Sequence, residues 1–314
     1  MATTGSLITA AEYNGLQARI ANLLATGSGS YGYGQSINST AISTVPPTNP
    51  DPTQGVITAA HWDALRLDIT NIGIHQTGSL PNIADPAPGT LIGYGASYPM
   101  INYSTLLDTY TTNRFNIATS QSNISVKATA PTYTSKWYTE ASCTATVTFP
   151  SAAVARHFFN SGGKIRFTTS RSGGTDNPQN SAWTNLLYSI GPQSLTGNTS
   201  LSSNFYTMTT TYQTVYQRSN STPYSANYYR IEARTPGVAN NSTGTATVVE
   251  LKVTLRDNYN GFTNQWSTVP EPGVDGNLVI ALEELKAANN SGDGTFNIDP
   301  LSAIVYSISS ITAS

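Results

Sequence analysis

The sequence predicts a mainly β protein, with a short helical N-terminal arm followed by an antiparallel β-sandwich or jelly-roll-like domain that contains inserted short helices. Two observations predict this fold class. A helix motif occurs at residues 8–22 and again at 57–71. Beyond it, alternating or β-branched runs are interrupted by Gly, Asn, Pro and Ser. The expected division is a docking arm over residues 1–80, a linker with a short helix over 81–122, and the sandwich over 123–314.

The first copy of the motif carries a complete signal for the start of a helix. Thr9 is the expected N-cap, and Glu12 three residues later completes a capping box. One helical face then carries the apolar residues Tyr13, Leu16, Ile20 and Leu23. Because a lone amphipathic helix of about four turns is marginal in water, this face is expected to pack on another element.

The second copy repeats the pattern at a constant spacing of 49 residues, from Ile8 to Ile57. Thr58 is the expected cap, but His61 stands where Glu12 stood, so the reciprocal half of the capping box should be lost. The matching apolar face is formed by Trp62, Leu65, Ile69 and Ile72. The two faces are expected to pack on each other, on the β domain or on another chain, and we interpret their eight residues as the docking or oligomerisation site. The charged residues of the two copies are expected to be solvated, namely Glu12, Arg19, Arg66 and Asp68.

Loops of different composition connect these elements. The segment 27–34 is rich in glycine and is expected to be mobile, whereas the proline-rich segment 46–52 is expected to be a stiff spacer. A second linker is expected from Thr77 to about Gly95. A further helix is expected within 104–121, with Leu106, Leu107, Tyr110 and Phe115 as its apolar positions.

The β region has seven candidate strands and two inserted helices. The strands are expected at 141–149, 164–170, 205–211, 227–234, 245–256, 277–283 and 303–311. One helix is expected at 152–159, capped by Ser151, and the other after Asn177-Pro178, ending at Gly191. Along the strand at 245–256, the alternating apolar residues move from even-numbered to odd-numbered positions. This shift predicts a bulge or a face switch near Glu250.

The composition excludes several classes of function. Charged residues are only 10% of the 314, and the net charge is −2, which argues against a basic groove for nucleic acid. No apolar run reaches the ~18 residues needed to span a bilayer, and the N-terminus lacks the features of a signal peptide. Synthesis in a cytoplasm without membrane association is therefore expected. The one cysteine, Cys143, lies in an alternating run and is expected to be a buried thiol.

No catalytic, cofactor or metal signature stands out. The G-x-G-x-x-G match at 27–32 follows a helix instead of a strand, so nucleotide binding is not expected. The histidines have no metal-ligand spacing, and no nucleophile elbow is present. Glu283 and Glu284 would point to opposite faces if they lie on a strand, and they are expected at a solvated edge or at the start of a helix. Asp275 and Asp293 are expected in turns, with calcium ligation as the alternative.

Exposed aromatic residues on a β platform would offer stacking surfaces to a glycan. The candidates are Tyr31, Tyr33, Tyr228, Tyr229 and Trp266. The alternative, which we favour, is that Tyr228 and Tyr229 are simply the surface and core residues of a strand.

Several longer phrases of the sequence resemble a known family. They are the two copies of I-T-A-A, the run Y-G-Y-G-Q at 31–35, and the segments 155–167, 170–174, 221–233 and 244–247. These phrases resemble virion structural proteins of tailed bacteriophages, especially myophages with cyanophage and marine-phage relatives. The resemblance covers most of the chain, from about Ile8 to Leu285.

This resemblance implies a non-enzymatic particle component with no cofactor. The expected partners are other virion proteins and further copies of the chain, with a trimer favoured. The expected location is the virion, after assembly in the host cytoplasm. Its place in the particle stays open between neck, tail, baseplate, fibre and capsid. The alternatives are a receptor- or glycan-binding module of a fibre that contacts a host surface glycan, a capsid decoration protein, or an enzyme such as a depolymerase.

Overall fold

A computed structural model describes residues 8–27, 32–45, 55–83, 99–259, 261–263, 268–269, 273–288 and 304–314 of the chain. The chain divides into two compact units. The helical unit comprises residues 1–123, 156–163 and 286–300, and the β unit comprises residues 124–155, 164–285 and 301–314. Each unit has its own core.

Three helices pack pairwise to form the helical unit. They are α1 (Ala10–Leu24), α2 (Ala59–Thr77) and α3 (Pro99–Thr112). The Thr9–Glu12 capping box is present at the start of α1, as predicted. The helix predicted at 104–121 begins and ends earlier in the chain than expected, so Phe115 lies beyond it.

The helix that was expected within a linker contributes to the same core as the repeated helices. Tyr103 and Leu107 of α3 are fully buried in that core, and Tyr110 is nearly so. The compact unit therefore extends to residue 123 and is not limited to residues 1–80. The physical reason is that α1 and α2 each present an apolar face, and a third helix is available to cover what two leave exposed.

The β unit contains strands and two further helices, in an order close to the predicted one. In chain order they are β1 (Ser122–Thr129), β2 (Glu140–Thr148), α4 (Ala152–Asn160), β3 (Lys164–Ser172), α5 (Pro178–Ile190), β4 (Gln193–Thr196), β5 (Gln213–Ser219), β6 (Tyr228–Arg234), β7 (Val248–Arg256), β8 (Phe262–Thr263), β9 (Thr268–Val269), β10 (Asn277–Ala287), β11 (Val305–Ile308) and β12 (Thr312–Ala313). Residues 156–160 of α4, 122–123 of β1 and 286–287 of β10 are counted with the helical unit.

The strands form two main antiparallel sheets, which confirms the predicted β-sandwich-like class. One sheet has the order β1-β10-β3-β4. The other has the order β11-β2-β7-β6-β5, with β12 also pairing with β2. Strands β8 and β9 form a separate pair. A hydrogen bond of 3.1 Å joins the hydroxyls of Thr169 on β3 and Tyr229 on β6, so side chains of the two sheets meet at this point.

Several predicted details of the β region are wrong. Residues 205–207 form a short 3-10 helix, which Asn204 caps by accepting a hydrogen bond from the backbone of Tyr206. The bulge expected near Glu250 is absent, because the pairing of β2 with β7 is continuous from Val248 to Arg256. The apparent change of parity arises because Ala246 lies before the strand begins. An irregularity occurs instead in β5, between Thr214 and Tyr216.

Strands β1, β4 and β5 were not predicted, and neither was the short pair of β8 and β9. The burial patterns of β1, β4 and β5 lack strict alternation, so the period-two signal was too weak. The strand expected at 303–311 is shorter, because β11 covers only Val305–Ile308, and the unpredicted β12 follows it at Thr312–Ala313. Both pair with β2.

Candidate functional site

The eight residues predicted to form the docking site lie in the core of the helical unit. Their exposed fractions are all 5% or less. Tyr13 and Trp62, which occupy equivalent positions in the two copies, contact each other edge-on with ring centroids 5.8 Å apart. The Tyr13 hydroxyl donates a hydrogen bond to the carbonyl of His61. The two faces therefore pack on each other. The prediction that these side chains themselves meet another protein is corrected, because burial leaves them almost no accessible surface.

His61 completes the second capping box, contrary to expectation. Its Nδ1 atom accepts a hydrogen bond of 3.1 Å from the backbone N–H of Thr58, as the Glu12 carboxylate does for Thr9 in the first copy. An imidazole nitrogen without a proton is a good acceptor. Both copies consequently begin with a complete box, built from different side chains.

Asp68 is the largest departure from the predicted distribution of charge in the arm. It was expected to be solvated, but it is fully buried. Its carboxylate accepts hydrogen bonds from the backbone N–H and the side-chain amide of Asn38 and from the backbone N–H of Ser39, all within 3.1 Å. Such bonds compensate the loss of hydration of a buried charge. Asp68 therefore fixes the loop between α1 and α2 onto α2.

Two further contacts hold the same loop. The side-chain amide of Asn14 donates to the carbonyl of Ile42, and its oxygen accepts from the N–H of Ile42. Tyr33 is fully buried, and its hydroxyl donates to the carbonyl of Arg114 at 2.7 Å and accepts from Gln76 at 2.8 Å. In the loop that was expected to be mobile, Tyr33 is thus held by burial and hydrogen bonds, while residues 28–31 lie outside the described residues.

The histidines of the helical unit have structural contacts. His75 is buried, and its Nε2–H donates to the carbonyl of Ser161 at 2.9 Å. Burial lowers the pKa of His75 to about 4, because the interior disfavours the charged form. Burial, assisted by nearby Arg156, also lowers the pKa of His157. His157 lies so close to Gly34 that a Cβ atom at that loop position would collide with the imidazole ring, so the position requires glycine.

The Asp275 carboxylate, which was considered as a possible calcium ligand, accepts its hydrogen bonds from other residues of the protein. Asp275 accepts hydrogen bonds from the backbone and hydroxyl of Thr175 and from the amide of Asn180. These bonds, those from Thr175 foremost, lower the pKa of Asp275 to about 2. The alternative of calcium ligation at Asp275 thus has no support from its contacts, and Asp293 lies outside the described residues.

Glu283 and Glu284 do point in opposite directions, but Glu284 is not at a solvated edge. Only 1% of it is exposed. Its carboxylate lies 2.8 Å from the Lys127 ammonium and accepts a hydrogen bond of 2.6 Å from the Tyr306 hydroxyl. Glu283 pairs instead with Arg166 at 2.7 Å. Within the described ranges, no group of three or more His, Cys, Asp or Glu side chains could hold a metal ion.

A concave surface of the β unit runs along β3 and α5. It consists of a cavity of about 310 Å³ and a more polar one of about 520 Å³, and both are lined in part by Arg171 and Thr184. We call this surface the β3–α5 groove. Four consecutive residues, Thr168 to Arg171, line it. Successive side chains of a strand point to opposite faces. A run of consecutive lining residues therefore means that the edge of β3, and not one of its faces, forms this wall of the groove.

The β3–α5 groove presents neutral polar groups and one exposed aromatic ring. Tyr188 at its rim is 91% exposed. The Arg171 guanidinium donates hydrogen bonds to the carbonyl of Asn180 and the hydroxyl of Thr184, and it forms an ion pair with Asp275. Among the described residues that line the groove, Asp176 is the only one with a carboxylate. The groove is therefore suited to a neutral polar ligand, and it does not offer the two converging carboxylates that hydrolysis of a glycosidic bond would need.

The aromatic residues predicted to bind a glycan are placed elsewhere. Tyr33 and Tyr229 are buried, and Tyr228 is half-buried with the Arg230 guanidinium over its ring. Tyr31 and Trp266 lie outside the described residues. Tyr188 was not among the predicted residues, although its position off the apolar face of α5 was a signal that it would be exposed.

Comparisons with known proteins do not identify the chain. No protein-family model, no curated protein and no solved structure matches it. In the part of the chain that the structure describes, no helix combines the length and apolarity needed to cross a membrane.

Proposed function

We propose that this protein is a structural component of a tailed-bacteriophage virion, in which it acts without catalysis. The helical unit anchors the chain to other virion proteins, and the β unit is displayed. The sequence phrases that resemble phage virion proteins carry this proposal. The hydrogen-bonded carboxylates and the buried histidines are consistent with it, because each is used to hold the fold.

The anchoring surface of this proposal differs from the one that the sequence suggested. Since the eight repeated residues are buried, contacts with another virion protein must use side chains that the helical unit exposes. Its described part exposes four large apolar residues, namely Val45, Val56, Leu67 and Leu80. Leu80 is 76% exposed and Leu67 is 48% exposed, which gives both side chains area to bury against a partner.

The experiment is to purify the phage particles that carry this gene and to identify their proteins by mass spectrometry. The protein is expected in intact particles, with immunogold labelling showing its position. Particles made with the variant Leu67→Asp/Leu80→Asp are expected to lose the protein, whereas Leu201→Asp in the β unit should be incorporated normally. Intact particles that lack the wild-type protein, while the lysate contains it, would overturn the proposal.

A second candidate function is the binding of a neutral glycan of the host surface in the β3–α5 groove. The observation that favours it is the 91% exposure of Tyr188 beside a groove of hydroxyl and amide groups. An aromatic ring offers an apolar face to a sugar, and the polar groups can exchange hydrogen bonds with its hydroxyls.

A glycan array with the full chain tests this candidate. Tyr188→Ala should lose binding roughly tenfold or more, since stacking and burial of an aromatic ring contribute on the order of 1–3 kcal/mol. The matched control is Tyr138→Ala, which removes a 48% exposed tyrosine outside the groove. No retention of any neutral glycan by the wild-type protein would exclude this function.

A further inference from the structure

Strand β1 is an open edge of the β unit. It spans eight residues, Ser122–Thr129, and pairs with β10 on one side. Among the described residues, no strand pairs with its other side. An open edge presents unpaired backbone donors and acceptors, and natural proteins protect such edges with charged residues, prolines, bulges or short length.

The other sheet edges have these protections. Strands β4 and β11 have four residues each. Strand β5 is interrupted by an irregularity between Thr214 and Tyr216 and also carries Arg218. Each of them offers a poor template for pairing with a further strand.

Strand β1 lacks these protections. Its sequence S-N-I-S-V-K-A-T contains no proline and a single charged residue, Lys127. The Lys127 ammonium is engaged within the β unit, because it lies 2.8 Å from the buried carboxylate of Glu284 and 5.6 Å from the centre of the Tyr306 ring. The charge that would protect this edge is thus neutralised by an internal ion pair.

The opposite face of β1 is apolar and exposed. Ile124 and Val126 alternate with Lys127 along the strand, and they are 49% and 60% exposed. Exposed β-branched side chains on a strand gain stability when they meet similar side chains across a strand pair.

We propose that β1 pairs with β1 of a second copy of this chain, antiparallel and about a two-fold axis. Pairing with itself is favoured because β1 is the one long edge among the described strands whose charge is neutralised, and a two-fold interface needs a single self-complementary surface. With Ser125 on the axis, Ile124 faces Val126 of the second copy, and Lys127 faces Asn123. This register joins the apolar side chains and keeps the two lysines apart.

This inference extends the proposed function by naming one partner, a second copy. It differs from the trimer that the phage resemblance favours. It can also fail independently, since a protein that is monomeric in solution could still be incorporated into particles.

The first test is the mass of the full chain in solution, measured by light scattering after size-exclusion chromatography over a series of concentrations. The wild-type protein is expected to be a dimer. Val126→Lys should weaken the dimer by roughly tenfold or more, because it places a charge within the apolar pair. Leu201→Lys, which alters a 49% exposed apolar residue away from β1, is the matched control and should remain a dimer.

A cross-link tests the register even if Val126→Lys fails to fold. Residues directly opposite in an antiparallel pair have Cα atoms about 4.5–5.5 Å apart, which a disulfide can span. Ser125→Cys should therefore form a disulfide-linked dimer on mild oxidation. Cys143 should not react, because it is buried and burial raises its pKa to about 12. A monomeric or trimeric wild-type protein, a Val126→Lys dimer of unchanged affinity, or a dimer that Ser125→Cys does not cross-link would overturn the pairing.

Discussion

Asp68 shows how one residue can decide the path of a loop. The equivalent position in the first copy of the motif is Arg19, which is partly exposed and pairs with Asp108 at 2.6 Å. Asp68 is instead buried under the chain at Asn38 and Ser39 and accepts their N–H groups. The repeat thus places opposite charges at equivalent positions because the two helices face different surroundings.

Asp68→Asn is expected to lower the free energy of unfolding by about 1.5–3 kcal/mol, as for other hydrogen bonds to a charged group. The asparagine amide replaces one acceptor with a donor, which then faces the N–H groups of the loop. Denaturant unfolding of the full chain measures the change. The matched control is Asp63→Asn on the exposed side of the same helix, which should stay within about 0.5 kcal/mol. Equal effects of the two changes would contradict the role assigned to Asp68.

At the scale of elements, the two copies of the motif differ for local reasons. Glu12 and His61 each accept the hydrogen bond from the backbone N–H of their cap, so both side chains perform one task. Tyr13 and Trp62 differ because they are neighbours in one core, where the Trp62 ring also packs on Tyr103 at 5.4 Å. The differences therefore arise from packing within one chain.

In the β unit, Glu284 ties three strands together. It belongs to β10, and it contacts Lys127 of β1 and Tyr306 of β11. Tyr306→Phe should lower the free energy of unfolding by roughly 1–3 kcal/mol, because it removes one partner from a buried carboxylate. Thermal unfolding measures the loss, with Tyr188→Phe at a 91% exposed position as the control. A Tyr306→Phe protein as stable as the control would show that the hydrogen bond adds no net stability.

At the scale of the whole molecule, the buried histidine predicts how stability depends on pH. The pKa of His75 is about 4 in the folded chain, below the value of about 6.5 that an unfolded histidine has. Between these values the unfolded state binds more protons, so stability is complete above pH ~6.5 and falls as the pH decreases toward 4, by about 3 kcal/mol in total. His157, whose pKa is also lowered, acts in the same direction.

Asp275 makes the stability of the protein depend on pH over a second, more acidic range. Its pKa is lowered from 3.8 to about 2, so its contribution is lost as the pH falls through that range. Unfolding curves measured from pH 7 to pH 4 should show mainly the histidine effect. His75→Gln can still donate to Ser161 but cannot bind a proton. It should therefore reduce the slope of the free energy of unfolding against pH by up to the contribution of one bound proton. A slope unchanged by this substitution would contradict the assignment.

The sequence by itself determined the parts of this protein that depend on short-range patterns. Caps at Thr9 and Thr58, the start signal at Asn177-Pro178 and a period near 3.6 defined helices α1, α2 and α5, because these signals act within a few residues. Strict alternation similarly defined β2, β6 and most of β7. The burial of Cys143 also followed from its place in such a strand.

Only the tertiary structure decided which apolar faces cover one another and which polar groups become buried. Leu16 and Leu65 could equally have met a second protein, and Asp68 and Glu284 were expected at the surface, whereas the loop at Asn38 and strand β11 close over them. The β3–α5 groove and the open edge of β1 likewise depend on strands that pair across long stretches of sequence. The physical reason is that local propensity fixes an element, whereas burial is a property of neighbours that are distant in the chain.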